Sequence, residues 1–164
     1  MIQLLKYSQY NKWANDLLIS LIEKKINDEA LDKIIVSSFP SLRKTVYHIW
    51  DAEFIWLKRL AGESLNDWPS KNFNGPFSEA KEKMLLNDSA FIDYIRNLNE
   101  EKLSGMFTYK NVEGKTFTNP LWEAILHCMN HSTYHRGQIV TILRQLGIES
   151  IPSTDFITFC RVSK

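Results

Sequence analysis

Residues 120–147 read PLWEAILHCMNHSTYHRGQIVTILRQLG, an unbroken run that opens on Pro120 and closes on Gly147. Proline suits the first turn of a helix and glycine the position just past its end, so the run is predicted as one long helix. It carries three of the chain's four histidines, His127, His131 and His135, each four residues after the last. At ~100° per residue a step of four advances by ~40°, which places the three rings on one side of the helix with Cys128 only ~20° beyond His135. Four potential ligands therefore share one sector, and spacing does not choose among them. Side chains at i and i+4 can reach one ion together, but such a pair needs a third ligand from elsewhere.

Upstream of that helix the apolar pattern keeps the same period. Leu4, Tyr7, Trp13, Leu17, Leu18, Leu21 and Ile22 recur at three- and four-residue intervals, predicting a first helix over about residues 4–25. A second helix is expected after Pro40, with Ser41 as its N-cap, ending near Gly62. Val46, Ile49, Trp50, Phe54 and Leu57 form its apolar stripe. A loop rich in Asn, Pro and Gly follows over residues 64–76, and Ser78 with Glu79 opens a third helix reaching about Leu98. By its length that loop is a candidate cover for a site. Residues 107–118, FTYKNVEGKTFT, alternate apolar with polar around Gly114, which predicts a small hairpin. Residues 152–164, PSTDFITFCRVSK, predict one or two helical turns or a short extended stretch. Four amphipathic helices must bury their stripes against one another. The expected fold is all-α: an up-down four-helix bundle with a small β-hairpin before the last long helix and a short C-terminal segment, one domain over 1–164.

Composition narrows the function. The chain has 164 residues, 44% hydrophobic and 24% charged, enough to bury a core without disulfides or an obligatory structural metal. Its 20 basic and 19 acidic residues leave a net charge of +1, so the electrostatic footprint of nucleic-acid binding is missing and no nucleic-acid partner is expected. MIQLLKYSQYNKWAND at the N-terminus is broken by polar residues in every turn, and nowhere do about 18 apolar residues run together, so neither signal peptide nor membrane association is expected. The two cysteines, Cys128 and Cys160, read as reduced thiols. The expected location is the cytoplasm.

Cofactor sites in bundles are built from facing helices, which makes His48, in the middle of the second helix, the natural third ligand. Three imidazoles with one open position make a catalytic type of zinc geometry, and imidazole also suits nickel, iron and copper. Against this stands the plainer alternative that core histidines are usually satisfied by hydrogen bonds and surface ones are usually idle. Ser132, not Glu, follows His131, so this is not the HExxH metalloprotease motif, and the absence of Glu-x-x-His argues against a di-iron carboxylate site. Asp51, one turn after His48, could accept a ligand imidazole's other N–H, and Glu123 could act similarly. Arg136 and Gln138 follow His135, where a pocket role competes with an ordinary inter-helix one. Gly137 costs roughly 1 kcal/mol relative to alanine within a helix, which suggests close approach of another backbone. Trp13 and Trp50 read as core, with one of them a candidate pocket wall.

YNKWAN at Tyr10–Asn15, His48, NHSTYHRGQ at Asn130–Gln138 with LRQLG after it, and PSTDF at Pro152–Phe156 occur in the order found in the DinB-like family of four-helix-bundle metalloproteins, which the chain resembles through most of its length. NHSTYHRGQ is the specific part. The resemblance implies a metal triad of His48, His131 and His135, and leaves His127 as a pocket or hydrogen-bonding residue and Cys128 as a small packed one. It further implies one divalent ion (zinc, nickel, iron or manganese) and a homodimer. Family members include metal-dependent enzymes that use low-molecular-weight thiols such as bacillithiol. The expectation is a metal-dependent enzyme that activates such a thiol, as in S-transfer, or a water, as in hydrolysis, on a small-molecule substrate. The alternative is a non-catalytic metal-binding or stress-response bundle protein.

Overall fold

The computed structural model describes residues 1–63, 65 and 67–163; Ser64 and Asn66, which belong to the expected loop, and Lys164 lie outside the described residues. Along the described chain run α1 (Ile2–Lys25), α2 (Asp28–Asp32), α3 (Leu42–Leu60), α4 (Phe77–Arg96), α5 (Glu100–Ser104), β1 (Met106–Lys110), β2 (Thr116–Pro120), α6 (Leu121–Gln145) and α7 (Phe156–Val162). The protein is therefore mostly helical with one two-stranded antiparallel sheet. None of these helices is long and apolar enough to cross a membrane.

The four long helices begin and end close to where periodicity and caps placed them. Ser41 caps α3, its Oγ accepting the Lys44 N–H at 3.3 Å. α6 ends in the expected glycine: Gly147 has φ 86°, and the N–H groups of Gly147 and Ile148 close on the carbonyls of Arg144 and Leu143, both at 3.0 Å. That pattern satisfies two carbonyls that the helix end leaves without partners. α4 starts one residue before the expected cap. Pro76 holds the cap position with no side-chain bond, and Ser78 and Glu79 lie within the first turn. The five-residue helices α2 and α5 were not anticipated, although Asn27 and Asn99 cap them through their side chains.

α1 packs on α4 and α6, and α3 packs on α6 and α4. Leu18, Ile22, Leu42, Ile49, Met84 and Ile142 fill one part of the interior. Phe91, Ile95, Ile125 and Met129 fill the other. Each such side chain, fully buried, favours the folded state by roughly 1.5–3 kcal/mol before entropy is charged against it. In the hairpin Thr108 pairs with Thr118 and Tyr109 with Phe117, and the turn uses Gly114 at φ 80°. β2 runs directly into α6, and Tyr109 of β1 lies edge-on to Trp56 of α3 at 4.9 Å, so the hairpin is fixed beside both helices that carry histidines. The C-terminal segment is irregular through Asp155, then forms α7, whose Phe159 rests on Tyr10 and Trp13 of α1.

Candidate metal centre

α3 and α6 pack face to face, and where they meet His48 approaches His131 and His135. The Nε2 atoms of His48 and His131 are 3.1 Å apart, as are those of His131 and His135. One nitrogen from each ring lies within 4.8 Å of the others, so the group is able to hold a metal ion. His127, one turn nearer the start of α6, stays out of this group: its ring centroid is 6.0 Å from that of His131 and 5.2 Å from Trp56. Cys128 also stays out. It is 1% exposed, and burial, reinforced by the nearby Glu53 and Asp88 charges, pushes its thiol well above the ordinary range.

Burial holds the three imidazoles in their neutral form. Desolvation, with His135 close by, lowers His48 to about 4. Desolvation and the surrounding histidines lower His131 to about 4. His135 is lowered by burial as well, partly offset by its hydrogen bond to Gln138. That bond fixes the tautomer. Gln138 Oε1 can only accept, so at 2.7 Å the His135 Nδ1 must carry the proton, leaving Nε2 as a bare lone pair 3.1 Å from His131 Nε2. The Gln138 amide is oriented in turn by donating to Ser38 Oγ at 2.7 Å. Phe39, beside Ser38, stacks on His48 with ring centroids 4.1 Å apart and lies 5.5 Å from His135. His131 Nδ1 has no partner among the described residues.

A cleft of about 490 Å³ opens at His48 and Phe39 and runs along α3 past Asp51, Ile55 and Trp56 to Arg59. The expected loop does cover it, through Trp68 and Ser70. Asp51 meets Ser70 and not an imidazole, accepting from its backbone N–H at 2.9 Å and its hydroxyl at 2.5 Å. Burial nonetheless leaves the Asp51 carboxyl above its usual range. Glu123 accepts from Asn119 at 3.0 Å and lines a smaller cleft with His127 and Trp56. Trp56 and Trp68 are the tryptophan walls, beside Phe39 and Tyr47; Trp50 is core against Tyr47 and Phe73, and Trp13 packs under α7. Gly137 departs from expectation, because a Cβ built on it meets nothing within 4 Å, so close backbone approach does not explain it.

Sequence reasoning missed a buried polar network behind the histidines. Arg136 is 2% exposed and makes no ion pair among the described residues. Its Nη1 donates to the Oδ1 atoms of Asn11 at 2.5 Å and Asn15 at 2.8 Å. The same two amides donate through Nδ2 to Glu53 Oε1, at 2.6 and 3.2 Å, and Ser132 Oγ donates to it at 2.7 Å. Asn15 also donates to Asp88 at 3.1 Å. The Asp88 carboxyl is raised well above its usual range, by burial first and then by the adjoining Glu53. Tyr10 covers the guanidinium at 5.3 Å and donates its hydroxyl to the Thr154 carbonyl at 2.8 Å. The signal was in the quoted motifs: the asparagines of YNKWAN, Ser132 and Arg136 of NHSTYHRGQ, and Thr154 of PSTDF meet here.

Residues 1–161 match the DinB family. "Protein DinB" of Bacillus subtilis (strain 168) is 26% identical to this chain, the match covering 97% of it and 94% of the relative. The crystal structure of a DinB-like protein from Bacillus cereus ATCC 10987 superposes with a TM-score of 0.69 over 93% of this chain and 96% of that one, and at 17% identity the likeness is one of fold. The family match spans nearly the whole chain, and the fold that accompanies it brings the motif histidines together: the chain belongs to the DinB family.

Proposed function

We propose that the protein is a metal-dependent enzyme in which His48, His131 and His135 hold one divalent ion through Nε2, within an up-down four-helix bundle that works in the cytoplasm as a homodimer. The observation that carries this is the convergence of the three Nε2 atoms at contacts of 3.1 Å. With His135 Nε2 bare, one proton on His131 Nε2 cannot make a full hydrogen bond to both of its neighbours, so at neutral charge the cluster is incompletely satisfied unless His48 donates, and then the contact to His135 sets lone pair against lone pair. A cation at the centre satisfies all three. Tetrahedral sites with metal–nitrogen bonds of about 2.0–2.1 Å place their nitrogens roughly 3.3 Å apart, close to the separation here.

Bound there, a divalent ion supplies Lewis acidity, favouring the deprotonated form of a thiol or a water. The chain's own residues do the rest. Gln138 keeps His135 in the ligand tautomer, Phe39 packs on two of the rings, and Asp51, raised by burial and held by Ser70, lines the cleft beside them. An aromatic cleft of about 490 Å³ is far larger than a water requires and suits an organic molecule, which favours transfer of a low-molecular-weight thiol over simple hydrolysis. Metal analysis of protein purified without a histidine tag tests the reading. About one equivalent of divalent metal is expected in the wild type and almost none in His135→Ala; equal, near-zero metal in both would overturn it.

A further inference from the structure

Arg59 sits at the far end of the cleft from His48, and its guanidinium is unusual among the described arginines that are not solvent-exposed, namely Arg43, Arg59 and Arg136. Arg43 pairs with Asp28 and Asp32, and Arg136 with two amides. Arg59 makes no ion pair or side-chain hydrogen bond among the described residues, although it is half-buried and desolvation pulls its pKa down. The nearby Glu63 is taken by Lys58 at 3.1 Å. What holds Arg59 is aromatic: its guanidinium lies 4.9 Å from the Trp56 ring centroid and 5.6 Å from that of Tyr109. Stacking uses the faces of a planar guanidinium and leaves its edge donors free, the arrangement that receives a carboxylate or phosphate through two parallel bonds. A partly desolvated cation with no counter-charge is costly unless a ligand supplies one.

The cleft supplies the rest of the pattern. His48, Ala52, Ile55 and Arg59 follow at intervals of four, three and four, so they form one stripe of α3, and all four line the cavity. Eleven residues of helix rise roughly 16 Å, and an arginine side chain leans back towards the helix N-terminus. Between the histidine and the arginine the lining is mostly apolar and aromatic, from Ala52, Ile55 and Trp56 with Val112 and Trp68, and its one acid, Asp51, has both oxygens bonded to Ser70. Lys44 lines the opposite end, but it is solvent-exposed and already interacts with the Asp51 charge. Arg59 faces no such acid.

We propose that Arg59 is the anion anchor of this cleft, receiving the carboxylate or phosphate of an extended amphipathic small molecule whose apolar body lies along α3 and whose other end reaches His48. This names the substrate class for the proposed enzyme, and only the statement that the molecule reacts at His48 rests on that reading. Anion recognition at Arg59 stands apart from the metal.

The test is calorimetric titration of the full-length protein, zinc-loaded and metal-free, with 4-phenylbutyrate, its neutral twin 4-phenylbutyramide, and phenyl phosphate. Wild type should bind the carboxylate about tenfold more tightly than the amide in both forms, as a charge-assisted pair predicts. Comparison with phenyl phosphate identifies the preferred anion. Arg59→Gln should erase the preference while leaving amide binding unchanged, and Arg59→Lys should restore part of it. Equal binding of carboxylate and amide by wild type, a preference that survives in Arg59→Gln, or no binding of any probe at millimolar concentration would each overturn the proposal. A preference confined to zinc-loaded protein would place the anion on the metal and overturn it too. An Arg59→Gln variant that loses all three probes equally, with a lowered thermal midpoint, would make Arg59 a packing residue instead. The metal-free arm gives its answer whether or not the histidines bind an ion, so the two readings fail separately.

Discussion

α6 carries two polar clusters back to back, and they obey opposite rules. On the side facing α3, His131 and His135 meet His48 with like atoms pointing at like atoms and no counter-charge among them. About a quarter-turn away, Ser132 and Arg136 join Asn11, Asn15, Glu53 and Asp88 in a network whose donors almost all find acceptors. Among the described residues, only Arg136 Nε and the Nδ2 of Asn87, next to Asp88 in sequence, are without partners there. The difference shows how a frustrated cluster is kept in place. Satisfied buried networks are rigid and position-specific, so the network fixes the α1–α3–α6 geometry, and that geometry obliges three neutral imidazoles to converge.

The largest expected effect comes from breaking the network at its acceptor. Glu53→Gln removes the negative charge that faces Arg136 through two asparagines and sets a new amide donor against existing ones. A loss of about 3–5 kcal/mol in urea unfolding is expected, the range for leaving one buried charge uncompensated. Asp88→Asn is the matched control. Burial first, and then the adjoining Glu53, hold the Asp88 carboxyl well above its ordinary range, and an amide keeps an oxygen for Asn15 while offering an N–H towards Glu53. Its cost should stay within about 1 kcal/mol. Equal losses from the two substitutions would show that the carboxyls do not divide the work this way.

The histidine side breaks differently. Gln138→Ala frees the His135 tautomer without touching the network, so zinc affinity should fall by about 10–100-fold while the metal-free thermal midpoint moves little. Competitive titration against a fluorescent chelator measures it, and unchanged affinity would remove Gln138 from the site. A smaller effect concerns pH. His48 and His131 titrate near 4 in the fold and near 6.5 when unfolded, so between those values the unfolded chain binds more protons. Metal-free protein should lose stability as pH falls through that window, with no further loss from these groups below about pH 4. His48→Gln combined with His131→Gln should flatten the slope, as read by thermal unfolding at stepped pH.

Gly137 belongs to neither cluster and faces open space. Gly137→Ala should therefore stabilise the helix by roughly 0.5–1 kcal/mol, a small rise in thermal midpoint with metal content unchanged. A destabilised variant would mean that another surface meets this face.

The comparison also explains what could be read beforehand. Long helices were legible because their burial is periodic, and the hairpin because Gly114 marks its turn. α2 and α5 were not, since five residues are too short to show a period, even with Asn27 and Asn99 as caps. The histidine ligands were half legible. The wheel admitted His127 and Cys128; the family resemblance set them aside, and packing keeps them apart, one against Trp56 and the other buried near Glu53 and Asp88. The network was invisible to pattern because each member is a lone polar residue whose partner is far along the chain, 125 residues in the case of Asn11 and Arg136. A polar residue on a helix reads by default as facing water, and only a tertiary partner reverses that.

Ser38 and Phe39 are neighbours in the segment leading into α3, yet they act on different rings, one through the Gln138 amide and the other by stacking on His48. Were that segment to swing outward, the shutter over His48 would open and the Gln138 amide would lose the partner that orients it. A half-rotation of the amide would then present its NH₂ group to His135 Nδ1, send the ring proton to Nε2 and turn an electron-pair donor into a hydrogen donor. The covering of one ring and the tautomer of another are thus tied to the same two neighbouring residues.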